Sequence, residues 1–250
     1  MPVAMSSLRE WARLAKRLRN PTLRAHAELA IFQHRSSPVA ECPICGYKGR
    51  FDASGSIMRF NAECPRCNSM ERYRLLALSI QRGFIDFAGT DVLHFAPETA
   101  IAKMVHDGNP RSYTCCDILP GRADRILNIE ELDVPSASLD RIVCLHVLEH
   151  VDDAIALGEL RRVLRTGGIA VLMVPIVEGW ATSYENPDAL TDADRDLHYG
   201  QHDHIRYYGA DFRDRVRAAG FSLTEFTADG IDSARYNLMR GEKVFLATAI

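Results

Sequence analysis

The chain has 250 residues, 47% of them hydrophobic and 25% charged, with 16 Gly, 11 Pro and a net charge of −3. That composition excludes a collagen, a low-complexity disordered chain and a bare disulfide scaffold. No run reaches the roughly 18 apolar residues of a transmembrane helix. Arg9, Arg13, Lys16, Arg17 and Arg19 also interrupt every apolar stretch near the start, so no secretory leader is expected and the protein reads as cytoplasmic, with no membrane partner.

The first elements are helical. Ser7 and Glu10 have capping-box spacing, and Leu8, Trp11, Ala15 and Leu18 recur at helical intervals. Asn20-Pro21 ends that helix, and a second is expected over about 22–34, so that residues 1–40 form an N-terminal helical segment. Residues 1–75 carry 13 Lys+Arg against 6 Asp+Glu, a balance of +7, and the remainder a balance of −10. A basic front of this kind can meet an anionic partner such as RNA, or it can simply present solvated helix faces.

Residues 41–68 change character. Cys42-Pro43-Ile44-Cys45 and Cys64-Pro65-Arg66-Cys67 form a C-x2-C-x18-C-x2-C pattern. Each pair can turn two sulfurs toward one ion at about 2.3 Å, and two such turns complete a tetrahedron. Short strands are expected at 49–51 and 57–60, around a turn at Ser54-Gly55. The reading is a zinc-ribbon-like module with a structural Zn²⁺, since four thiolates close the coordination shell. The other three cysteines, Cys115, Cys116 and Cys144, lie in apolar stretches and read as buried free thiols.

From residue 69 onward strands and helices alternate. Ser69 opens a helix with Met70, Tyr73, Leu76, Ala77 and Ile80 on one face, ended by Gly83. Strands are expected at 92–96, 113–116, 125–127, 141–145, 169–174, 221–226 and 243–249, with helices at about 97–105, 152–164 and 212–219. This order predicts an α/β protein with a doubly wound, mostly parallel sheet, whose ligands bind outside the carboxyl ends of the strands.

Two stretches carry the chemistry. The run Leu139-Asp140-Arg141-Ile142-Val143-Cys144-Leu145-His146-Val147-Leu148-Glu149-His150-Val151 leads to Glu159-Leu160-Arg161-Arg162-Val163-Leu164-Arg165-Thr166-Gly167-Gly168. Together they resemble the central block of class I S-adenosylmethionine-dependent methyltransferases. The resemblance covers about residues 90–175, more loosely the rest, and implies a methyltransferase domain over 69–250. It implies a seven-stranded sheet with an antiparallel last strand, and a methyl donor, S-adenosylmethionine, over the ends of strands one to four.

On that resemblance Asp117 receives the donor's ribose, Asn128, Ile129 and Glu130 surround its adenine, and His146 lines the pocket between donor and acceptor. The family's glycine-rich first motif is replaced here by His94-Phe95-Ala96-Pro97-Glu98. Ala96 is the smallest side chain that can stand in for glycine, and Pro97 suits a first helical turn. Glu98 either balances the donor's positive charge or stabilises the first turn of its own helix.

A rival reading exists for His146-Val147-Leu148-Glu149-His150, which has the H-x-x-E-H form of an inverted zinc-protease helix. The β-like run before it argues against a helix there. The polar, aromatic stretch 176–210 is expected to bind the acceptor through Tyr184, Glu185, Asn186, His198, Gln201, Asp203, Arg206 and Tyr207. His202, His204 and His146 are the candidate general bases, because imidazole titrates near pH 6.5. The expected activity is methyl transfer to O or N of a small molecule of natural-product or saccharide type. RNA methylation assisted by the zinc module and a non-catalytic scaffold are the alternatives; a homodimer stays open.

Overall fold

The computed structural model describes residue 21, residues 39–54 and residues 59–250. The helices expected before residue 40 and the turn tip after Ser54 lie outside the described residues. The chain divides into two compact units, Met1–Glu71 with Ala234–Asn237, and Arg72–Ser233 with Leu238–Ile250.

In the first unit, β1 (Ala40–Glu41) pairs antiparallel with β2 (Lys48–Gly49), and β3 (Asp52–Ser54) with β4 (Arg59–Glu63). The strand expected at 49–51 is split, because Phe51 turns inward between β2 and β3 and is buried. Its core is Ala40, Cys42, Phe51 and Cys64, flanked by Ile44, Tyr47, Cys45 and Cys67. A cluster this small among the described residues is the setting in which a cross-link or a metal adds most to stability.

The second unit holds a seven-stranded sheet. Its strands are β5 (Asp91–Phe95), β6 (Ser112–Asp117), β7 (Arg125–Ile126), β8 (Leu139–Leu145), β9 (Leu164–Met173), β10 (Phe221–Phe226) and β11 (Val244–Ala249). They lie in the order β10-β11-β9-β8-β5-β6-β7. All neighbours from β9 to β7 run parallel, and β11 runs antiparallel to both β9 and β10. Successive strands move outward from β5 on one side, then restart with β8 on the other. The sheet is therefore doubly wound, with its switch point between β5 and β8.

Helices α1 (Glu71–Gln81), α2 (Thr99–Asp107), α3 (Asp153–Val163) and α5 (Phe212–Ala218) lie where helices were expected. Asp152 caps α3 by accepting from the amides of Ala154 and Ile155, and Ala156, Leu157, Leu160 and Val163 form its buried stripe. That stripe packs with Leu93, Phe95, Ile142, Cys144, Ala170, Leu172 and Phe245 into one core. Strand β9 begins earlier than expected, at Leu164. Residues 165–168 bulge out against β8, where Leu139 pairs Leu164 but Arg141 already pairs Ile169. Gly167 takes φ +79°, which a side chain would strain, and a Cβ on Gly168 would lie 2.9 Å from the Arg165 carbonyl.

Two helices have no counterpart in the sequence expectations, α4 (Asp192–Tyr199) and α6 (Gly230–Tyr236). Cys116 and Cys144 are buried thiols as expected; Cys115 is partly exposed and its Sγ meets the Asp124 carboxylate at 3.1 Å. No described helix is long and apolar enough to cross a membrane.

Candidate functional site

A cleft of about 490 Å³ opens at the carboxyl ends of the central strands. Its floor is Phe95 and Ala96 after β5, Asp117 after β6, Leu127, Asn128 and Ile129 after β7, and His146 and Val147 after β8. It thus sits at the switch point, where the strands' diverging loops leave room for a ligand. The backbone there is unusual: Ala96 has φ +45° and His146 φ +54°, both in the left-handed region that favours glycine. The bends are pinned from neighbouring strands, by the Ala96 amide donating to the Cys116 carbonyl and the His146 amide to the Met173 carbonyl, each at 2.8 Å. Strain of this kind, held by surrounding structure, is concentrated at functional sites.

Asp117 accepts the Leu119 amide at 2.8 Å through Oδ1, which fixes its carboxylate at the cleft edge. Beside it, Ile118 and Leu119 line the cleft while 62% and 45% exposed, an uncovered apolar face next to a carboxylate. Asn128 is held by its own turn, accepting the Glu130 amide at 3.1 Å.

Residues 100–172 match the family model of a methyltransferase domain. Among solved structures, a chain from the Haloferax volcanii complex that holds the Trm112 methyltransferase activator is similar at TM-score 0.54 and 13% identity, over 72% of this chain and 90% of that one. An S-adenosylmethionine-dependent methyltransferase from Mesorhizobium loti is similar at TM-score 0.51 and 14% identity, over 69% and 96%. The [4+2]-cyclase SpnF is similar at TM-score 0.50 and 16% identity, over 71% and 81%. The chain carries the class I methyltransferase fold. No curated protein matches this chain.

Within that methyltransferase fold, Ala96, Asp117, Asn128, Ile129 and His146 line the cleft. Four other residues expected at the donor do not. His94 is 0% exposed inside the sheet, its Nδ1 2.8 Å from the Tyr113 hydroxyl. Both faces of a central parallel strand are buried, so alternation could not say which side its ring takes. Glu130 accepts the Asp152 amide at 2.6 Å and braces the start of α3. Pro97 and Glu98 open α2 outside the cleft wall. Glu98 makes no capping bond. Its carboxylate faces Tyr73 and Arg72, the latter at 3.9 Å, and burial raises its pKa.

The buried His94 has a measurable consequence. Burial pushes its pKa down to about 4, so the folded protein keeps it neutral. An unfolded chain binds that proton near pH 6.5, so the stability contributed by neutral His94 is complete above about pH 6.5 and falls as pH drops toward 4, by about 3 kcal/mol. Urea midpoints at pH 7 and pH 4.5 should differ more in wild type than in His94→Leu; equal shifts in the two proteins would contradict this.

Acceptor-side expectations fare differently. Of Tyr184, Glu185, Asn186, His198, Gln201, Asp203, Arg206 and Tyr207, only Asp203 lines the cleft. Tyr184, Asn186 and His198 bond one another, Tyr184 Oη to His198 Nδ1 at 2.7 Å and Asn186 Nδ2 to His198 Nε2 at 3.3 Å. Tyr207 pairs its backbone with Tyr184 and packs near Trp180 and Tyr199. Gln201 donates to Asp203 at 2.8 Å. These groups are spent on building a lid around α4, whose start is a capping box between Thr191 and Asp194.

Arg206 is also structural. It is buried, donates to the Leu148 carbonyl at 2.9 Å and to the Val151 carbonyl, and pairs Glu185 at 3.1 Å. It thereby holds the 3-10 turn Leu148–His150 at the cleft wall. That single turn also removes the zinc-protease reading, which needs a longer helix. His202 is exposed and off the cleft; His204 is buried behind His150, its pKa lowered by burial. Cleft residues to which the sequence analysis gave no site role include Ile118, Leu119, Arg122, Leu127 and Arg195.

The four-cysteine cluster is assembled in the first unit. Cys42 and Cys67 sulfurs are 3.6 Å apart and those of Cys45 and Cys64 3.7 Å, with all four within 4.8 Å of one another and none in a disulfide. A tetrahedron with metal–sulfur bonds of about 2.3 Å has edges of about 3.8 Å. The two turns are built alike. Cys42 accepts from Gly46 N and donates to the Tyr47 carbonyl; Cys64 accepts from Asn68 N and donates to the Ser69 carbonyl. Gly46 and Asn68 take the same left-handed φ, +70° and +55°. These residues fit a tetrahedral ion.

Proposed function

We propose that the protein is an S-adenosylmethionine-dependent methyltransferase acting on an oxygen or nitrogen of a small-molecule acceptor, with a structural Zn²⁺ on Cys42, Cys45, Cys64 and Cys67. The observation that carries the donor side is the pairing, in one cleft at the switch point, of the Asp117 carboxylate with the apolar Ile118, Leu119 and Ile129. A carboxylate there suits vicinal ribose hydroxyls, as in dinucleotide-binding sheets, and the apolar face suits adenine.

When bound, S-adenosylmethionine supplies an electrophilic methyl group on a sulfonium, so the protein's tasks are alignment and proton removal. His146 is the group best arranged for the second task. Its Nδ1 lies 3.2 Å from Glu149 Oε1, which orients the ring and leaves Nε2 as the acceptor of a proton. That Nε2 has no partner among the described residues. His202 is too far out on the surface to be preferred, and His204 stands behind the cleft wall. The small-molecule reading is supported by the size of the cleft, about 490 Å³, whose walls are completed by Arg195 and Asp203.

Calorimetric titration with S-adenosylhomocysteine tests the donor side. Wild type should bind one molecule per chain, and Asp117→Ala should weaken it tenfold to a hundredfold, the worth of charged hydrogen bonds at about 1.5–3 kcal/mol. Unchanged affinity in Asp117→Ala would remove that carboxylate from the donor site.

A further inference from the structure

We propose a second metal site, separate from the four cysteines, in which Glu149, His150 and His204 hold a divalent first-row transition ion at the wall of the cleft. Their ligand atoms all lie within 4.8 Å of one another. One carboxylate and two imidazoles form the nitrogen and oxygen donor set that suits Zn²⁺, Mn²⁺ or Co²⁺, and three protein ligands leave coordination positions open.

The burial pattern is what calls for an ion. Glu149 is 0% exposed, yet only Oε1 is engaged, by His146; Oε2 is buried with no partner among the described residues. A carboxylate removed from water with an empty lone-pair side is costly unless something positive meets it. Arg206, close by, is already committed to the carbonyls of Leu148 and Val151. Across the cluster, His204 is 9% exposed and its Nδ1 is likewise buried without a partner.

His150 has the arrangement of an oriented metal ligand. Its Nδ1 lies 3.1 Å from the Asp203 carbonyl and 3.4 Å from the Asp203 carboxylate, which leaves Nε2 for an ion. The His150 and His204 rings meet edge to face with centroids 4.7 Å apart. Because His146, His150 and Asp203 line the cleft, the open side of such an ion belongs to the cleft. On the acceptor reading above, on which this last point rests, the ion would hold an acceptor oxygen and lower its pKa.

Cobalt substitution of the full-length protein separates the two sites. Cobalt on four thiolates gives intense sulfur-to-metal charge-transfer bands, whereas a carboxylate–imidazole site adds only weak visible bands. Wild type should hold two ions per chain, and Glu149→Gln and His204→Ala should each hold one, keeping the thiolate bands. His202→Ala, altered at an exposed neighbour, should keep both. A single ion per wild-type chain at millimolar cobalt overturns the site whatever the variants do, as does a second ion that survives both substitutions or is lost in His202→Ala. Titration of the same samples with S-adenosylhomocysteine keeps the readings apart. Nucleoside binding with one ion overturns only the metal site, and two ions without nucleoside binding overturns only the methyltransferase reading.

Discussion

Stripping the proposed Zn²⁺ from the four-cysteine module, or replacing Cys64 by Ser, should abolish the ordered turns at Cys42–Tyr47 and Cys64–Ser69. The reason is the small apolar cluster that the described residues of the module bury. Among the described residues the buried cluster is Ala40, Cys42, Phe51 and Cys64, two of them proposed metal ligands, and the described strands are two to five residues long. Hairpins of that length are not stable alone in water. Structural Zn²⁺ in such small modules contributes about 10–16 kcal/mol of apparent binding energy, more than the stability of an ordinary domain. Hydrogen exchange read by mass spectrometry should show the amides of Cys42, Gly46, Cys64 and Asn68, all bonded within the two turns, exchanging at once in the chelated protein. Protection that persists without metal in both the chelated protein and Cys64→Ser would mean that packing, and not coordination, holds the turns.

The second large effect is expected at Arg206. Truncation to Leu leaves the Leu148 carbonyl with only the Tyr208 hydroxyl, leaves the Val151 carbonyl without its donor, and removes one of the two arginines that face Glu185. Breaking a buried charge pair by deleting one partner costs about 3–5 kcal/mol. Arg206→Lys keeps the charge but cannot serve two carbonyls and a carboxylate from one planar group, so it should fall between. Denaturant midpoints would order the three proteins as wild type, Lys, Leu. The turn they hold carries Glu149 and His150, so Arg206→Leu should also weaken any ligand on that wall of the cleft. A Leu variant as stable as wild type would show that the turn needs no clamp.

The sheet was legible because its central strands are short apolar runs punctuated by Pro97 and Gly167-Gly168, and because Asp152 announces α3 with a capping side chain. Helix α4 was hidden by its composition. Asp192, Asp194, Asp196 and His198 leave it little apolar periodicity, although the Thr191–Asp194 pair is a cap that uses Asp where Glu or Gln is usual. Residue roles were harder to see than elements. Asp117 and Ile129, named through the family resemblance, line the cleft because each lies at or just after the end of a parallel strand. Arg206, Tyr184 and His198 look like binding groups in sequence and are internal struts in the fold, since nothing local tells a long polar side chain whether solvent, ligand or a buried carbonyl awaits it. The approach of His204 to Glu149 and His150 is made by the lid folding back on the β8 loop, a contact that spacing along the chain cannot reveal.

Nucleoside binding at the switch point is tested most directly by a crystal structure of the protein grown with S-adenosylhomocysteine. Density for the nucleoside should lie over the ends of β5, β6 and β7, with the ribose hydroxyls on the Asp117 carboxylate and the adenine against Ile129. A saturated crystal with that cleft empty, or with the nucleoside bound elsewhere, would contradict it.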